Sequence, residues 1–100
     1  MTNERILIAE DDGIVAAWLQ SILTELGYAV PEMVASGEEA VRQAAETRPE
    51  LVLMDTRLTG DMDGIEAGGQ IRARLDIPVV YLTAHLDETL LQRAMPAESC

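Results

Sequence analysis

Short apolar runs in this chain give way, one after another, to segments with helical spacing, and no feature narrows the possible folds more. Arg5 to Ala9 is apolar and leads through an acidic turn to Val15, Leu19, Ile22, Leu23 and Leu26, which recur at helical intervals until Gly27. Tyr28 to Ala35 is strand-like but contains Pro31, which cannot donate to a ladder, so the run belongs at a sheet edge. Ser36 with Glu39 forms a capping box for a helix through Ala40, Val41, Ala44 and Ala45, with Pro49 just beyond its end. Leu51 to Met54 is the next strand, ending on Asp55, and Asp63 with Glu66 opens a helix carrying Ile65, Gly68, Ile71 and Leu75 on one face. The adjacent Gly68 and Gly69 are read as room for close packing on the sheet. Pro78 begins PVVYLT, whose unbroken apolar character suits a strand covered on both faces, and Asp87 opens a short helix with Leu90, Leu91 and Ala94. This alternation predicts an α/β fold, a parallel sheet with helices on both sides.

Length and charge limit what such a fold can do. One hundred residues, 48% of them hydrophobic, close a single core, so one domain over residues 1–100 is expected. A formal charge of -11 repels phosphate backbones and anionic lipid, which argues against direct nucleic-acid binding or a membrane surface as partner. The longest apolar runs are too short to span a bilayer. The single cysteine, Cys100, has no internal partner, and the start MTNERILIAE lacks a signal-peptide layout, so a cytoplasmic location is expected.

The chemistry gathers at the strand ends. The first strand runs into Glu10, Asp11 and Asp12, the third ends on Asp55, and the fourth ends on Thr83. In a doubly wound sheet, ligands bind beyond the carboxyl ends of the strands. Carboxylates crowded there raise one another's pKa unless a cation shares the space, and magnesium suits a site with one or two carboxylates and several waters. A carboxylate facing a phosphoryl donor can act as a nucleophile and give an acyl phosphate, and a threonine hydroxyl is a suitable donor to the transferred group.

ILIAEDD, LVLMDTRLTGDMDGIEA and PVVYLTAH, in that order and spacing, resemble the receiver domains of two-component response regulators. The resemblance covers almost the whole chain. It implies a flavodoxin-like fold with strand order 2-1-3-4, the second strand at an edge. It also implies Asp55 as phosphoacceptor, Asp11 as a direct Mg2+ ligand with Asp55 and the backbone carbonyl of Arg57, Glu10 acting on the metal through water, and Thr83 as the switch hydroxyl. The implied partner is a sensor histidine kinase or phosphotransfer protein.

Two departures from the family pattern stand out. The family commonly has a Met-Pro pair after the acceptor and reaches Asp-Gly one residue sooner; here Leu58, Thr59 and Gly60 fill a longer turn, as in a subgroup often joined to sensor or kinase modules. The family's fifth strand, with its lysine and aromatic switch, and the last helix have no counterpart before Cys100, and the chain contains no lysine. The expectation is a shortened receiver with weaker phosphorylation and an uncovered apolar edge at PVVYLT through which two copies pair. The alternative is a degenerate receiver acting only by protein contact.

Other functions fit less well. A phosphohydrolase of the haloacid dehalogenase type places a second acid two residues past the nucleophile, where this chain has Arg57. A flavin module needs phosphate-binding donors where Glu10, Asp11 and Asp12 stand. Asp12, Asp63 and Asp87 read as helix caps, His85 as a loop residue with no metal role, and Trp18 as partly packed in the core.

Overall fold

The computed structural model describes residues 4–82. Thr83, His85, the helix expected from Asp87 and Cys100 lie outside them. In chain order the elements are β1 (Ile6–Ala9), α1 (Gly13–Glu25), β2 (Met33–Val34), α2 (Gly37–Thr47), β3 (Leu51–Asp55), α3 (Gly64–Leu75) and β4 (Val79–Leu82). The strands form one parallel sheet in the order β2-β1-β3-β4, the flavodoxin-like arrangement expected from the sequence.

The three helices among the described residues start at the polar residues that mark them in the sequence. Asp12 accepts from the Ile14 and Val15 amides, Ser36 from that of Glu39, and Asp63 from that of Glu66. Each cap satisfies donors that the first helical turn leaves without a partner, worth about 1 kcal/mol.

Alternation along β1 sorts the core into two layers. Leu7 and Ala9 point to one face and pack with Ala40 and Ala44 of α2, Ala67 and Ile71 of α3, and Val52 and Met54 of β3. Ile6 and Ile8 point to the other face, where α1 covers them with Ala16, Leu19 and Leu23. Among the described residues, helices therefore lie on both sides of the sheet, two on one face and one on the other. Ile71 is fully buried, so Ile71→Ala costs about 2–5 kcal/mol.

The structure corrects the sequence reading in five places. The second strand is shorter than Tyr28 to Ala35: only Met33–Val34 is strand, with an isolated bridge between Arg5 and Ala29. The Ile6 amide reaches the Ala29 carbonyl and the Glu10 amide reaches that of Val34, while Pro31, between these contacts, has no N–H to offer. β2 is nevertheless at the edge, where Pro31 is tolerated.

Trp18 is not in the core: it is 62% exposed. Gln20 donates to the Val30 carbonyl and ties that side of α1 down, leaving Ile14, Trp18 and Ile22 along an open flank. Leu26, expected to extend the buried stripe, caps the helix C-terminus and is exposed.

Among the described residues, β4 is not covered on both faces. Val79 and Tyr81 pack against the layer under α2 and α3, but Val80, on the α1 side, is 46% exposed. The one helix on that side among the described residues packs over Ile6 and Ile8 of β1. Of the glycine pair in α3, only Gly68 meets the sheet: a Cβ there would strike the Tyr81 side chain, whereas one at Gly69 would meet nothing.

Candidate acidic site at the strand ends

The sheet order reverses between β1 and β3, the switch point at which ligands bind in open α/β sheets. Ala9 pairs with Met54, so Glu10 and Asp55 follow side by side at the carboxyl ends of adjacent strands. Glu10, Asp11 and Asp55 each present an oxygen within 4.8 Å of the others. Three of the residues singled out in the sequence thus meet in one place. Asp12, the next acid along, turns away to cap α1.

The cluster is electrostatically frustrated. Burial, then the side chain and charge of Asp55, push the Glu10 carboxyl up from its ordinary 4.5 to about 7, against the lowering effect of the Asp12 amide that it accepts at 3.1 Å. The ion pairs Arg5–Glu50 and Arg42–Glu39 lie elsewhere. Asp11 is exposed and Asp55 half-buried, so the cluster opens to solvent on one side. Oxygen-only donors, crowded carboxylates and access for water together fit a hard divalent cation rather than a nitrogen- or sulfur-liganded metal.

The turn after Asp55 is held at many points. Asp55 Oδ1 accepts from the Arg57 amide at 3.1 Å, which orients the carboxylate over the exposed Arg57. The Thr56 amide bonds the Leu82 carbonyl, and the Gly64 amide closes the turn onto the Thr56 carbonyl. Gly64 sits against the Asp55 carbonyl so closely that a Cβ there would overlap it. Thr56 is buried, and its hydroxyl has no hydrogen-bond partner among the described residues. β4 ends, in its described part, at Leu82 opposite Asp55; Thr83 is the next residue and lies outside the described part.

The sequence did not reveal how this turn is anchored to α2. Thr59 Oγ1 donates to the Ala35 carbonyl at 3.1 Å, and Thr59 bridges Ser36. Glu38 accepts from the amides of Asp61 and Met62 at 3.2 and 3.1 Å. The signal available in sequence was a pair of acids in the first turn of a helix, which reads equally well as a response to the helix dipole. A shallow trough of about 720 Å³ lies elsewhere, along Gly69, Arg72, Ala73 and Asp76 to Pro78, far along α3 from its Asp63 cap and too open to enclose a ligand.

Comparison with known proteins agrees with this geometry. A family model described as the response regulator receiver domain matches residues 6–99. The transcriptional regulatory protein PdtaR of Mycobacterium tuberculosis is 38% identical over 93 residues, 93% of this chain and 45% of its own length. The response regulator protein VraR of Staphylococcus aureus is 38% identical over 95 residues, again covering 93% of this chain and 45% of that protein. The chain therefore spans about half the length of these relatives. Among solved structures, the signal receiver domain of a modulated diguanylate cyclase from Desulfovibrio desulfuricans superposes with a TM-score of 0.87 at 38% identity, covering 93% of this chain and 74% of that one. With its sheet order, its strand-end acids and these relatives in agreement, the chain belongs to the response regulator receiver domain family.

Proposed function

We propose that this receiver takes a phosphoryl group onto Asp55 from the phosphohistidine of a sensor kinase or phosphotransfer protein. The observation that carries the reading is the meeting of Glu10, Asp11 and Asp55 within 4.8 Å at the switch point. An Asp55 carboxylate oxygen attacks phosphorus, the phosphorus–nitrogen bond breaks, and the imidazole leaves with the electron pair and is protonated from solvent, giving an acyl phosphate. Mg2+ supplies neutralisation of the charge shared by the carboxylates and the phosphoryl oxygens. Asp11, Asp55 and the Arg57 carbonyl are the residues assigned to hold it, with Glu10 acting through water. The Arg57 amide keeps the Asp55 carboxylate oriented. Thr83 is assigned to donate its hydroxyl to the transferred group and so report the new charge. The chain acts on itself rather than turning over an outside substrate.

The test is intact mass. Incubation with acetyl phosphate and Mg2+ is expected to add one phosphate to the wild type and none to Asp55→Asn. A gain that survives the substitution, or a full-length protein that never gains it, contradicts the proposal.

A second reading, action by protein contact alone, draws on the open flank of α1, where Ile14 is 83% and Trp18 62% exposed. Pairing of two copies along β4, where Val80 is exposed, belongs with it. Concentration-independent monomers in solution sizing would count against that pairing. No helix among the described residues is long and apolar enough to cross a membrane.

A further inference from the structure

We propose that Glu38 is a positioning residue for the acceptor turn, a role that rests on the reading of Asp55 as phosphoacceptor. The turn from Thr56 to Asp63 is fixed at its base by the bond from the Gly64 amide to the Thr56 carbonyl and at its end by the Asp63 cap. Between these points lie Arg57, whose carbonyl is assigned to the metal, and the extra length contributed around Gly60. The Arg57 amide is held by Asp55 Oδ1 and Thr59 is tied to Ala35 and Ser36, which leaves the stretch from Gly60 to Met62 to be fixed. Glu38 supplies the constraint from another element.

The geometry is that of an anion nest filled from within the chain. The successive amides of Asp61 and Met62 converge on one oxygen of Glu38, at 3.2 and 3.1 Å. Gly60 makes this possible twice over. Its φ of +99° is one that side chains rarely adopt, and a Cβ at this position would stand 2.8 Å from Glu38 Oε1. Gly60 of the long turn and the acid of α2 therefore form one matched device.

Glu38 is not needed to start its own helix. Ser36 and Glu39 already form the capping box there, with Ser36 accepting from the Glu39 amide at 3.1 Å and Glu39 facing the Ala35 amide and the Ser36 hydroxyl, each at 3.4 Å. The Glu38 carboxylate is directed across 23 residues of sequence to the turn instead. Groups that orient a ligand from behind typically change metal affinity about 10- to 100-fold when removed.

The experiment compares Mg2+ affinity by calorimetry with amide hydrogen exchange in the whole chain. In Glu38→Ala, Mg2+ binding is expected to weaken about tenfold and the Asp61 and Met62 amides to exchange faster. Glu38→Gln, which keeps an acceptor oxygen, is expected to recover affinity to within about threefold of wild type, as a neutral bond replaces a charge-assisted one. Arg5→Ala, at the other end of the sheet, serves as the control that lowers the thermal midpoint without changing affinity. Wild-type affinity in Glu38→Ala overturns this proposal alone, whereas a wild type that binds no Mg2+ overturns the acceptor reading and this one with it. If Glu38→Ala does not fold, Glu38→Asp, one methylene short of the nest, decides in the same way: weaker binding supports the role and unchanged binding overturns it.

Discussion

The two ends of this sheet treat charge in opposite ways. At the amino end of β1, Arg5 donates to the Thr47 and Arg48 carbonyls at 2.6 Å each and pairs with Glu50 at 3.5 Å. The cation thereby satisfies the last carbonyls of α2, where the helix dipole favours positive charge. The Arg5 amide also bonds Glu50, and that contact holds the Glu50 carboxyl below its ordinary value. At the carboxyl end, Glu10, Asp11 and Asp55 crowd together, and Glu10 is pushed up to about 7 instead. Where the chain needs only stability, its charges are matched. Mismatch is kept at the switch point, where the proposed function places a cation and a phosphoryl group.

The largest effect should come from the mismatched end. Asp11→Asn and Asp55→Asn are each expected to weaken Mg2+ binding by more than about tenfold in a calorimetric titration, since each removes a carboxylate that the proposed function assigns as a direct ligand, at a site that would take only one or two. Equal affinities in wild type and variants would make the two ends alike and remove the contrast.

Next comes the matched end. Arg5→Ala is expected to lower unfolding free energy by about 1–2 kcal/mol in a denaturant titration, because it leaves two helix-terminal carbonyls short of a donor. Mg2+ affinity should stay as it was.

Asp12 sharpens the comparison, since it sits beside Asp11 and does the opposite job. Asp12→Ala is expected to cost about 1 kcal/mol through the lost cap, with little change in metal binding.

The smallest effect is a dependence on pH. The folded-state pKa of Glu10 lies above its ordinary value, so between 4.5 and about 7 the folded state holds a proton that the unfolded state has lost. Its contribution to stability is therefore fully present below about 4.5 and is lost as pH rises to about 7. Thermal midpoints measured across that window should show this component in the wild type and lack it in Glu10→Gln.

Most of the fold was legible because its causes are local. The caps at Asp12, Ser36 and Asp63 and the helical stripe from Ile65 to Leu75 depend on neighbours in sequence, and all were placed correctly. Trp18 was not, because periodicity around Leu19 and Leu23 does not show which flank a second helix will cover. The second strand is shorter than its apolar content suggests because that content outlasts the hydrogen bonding that Pro31 interrupts. Within the site, Glu10, Asp11 and Asp55 were legible from their places after apolar runs, since the strand order alone brings those ends together. The Glu38 clamp was not, because it joins residues 23 and 24 apart through backbone amides that carry no mark in the sequence.

The most direct test of this division is thermal unfolding of the wild type and Asp11→Asn, each with and without Mg2+. Without the ion, relief of like-charge crowding should make Asp11→Asn more stable than the wild type. With Mg2+ at about a hundred times its dissociation constant, the wild type should gain about 2.7 kcal/mol and overtake the variant. A variant less stable than wild type in the absence of the ion, or an equal gain by both proteins in its presence, would contradict the account.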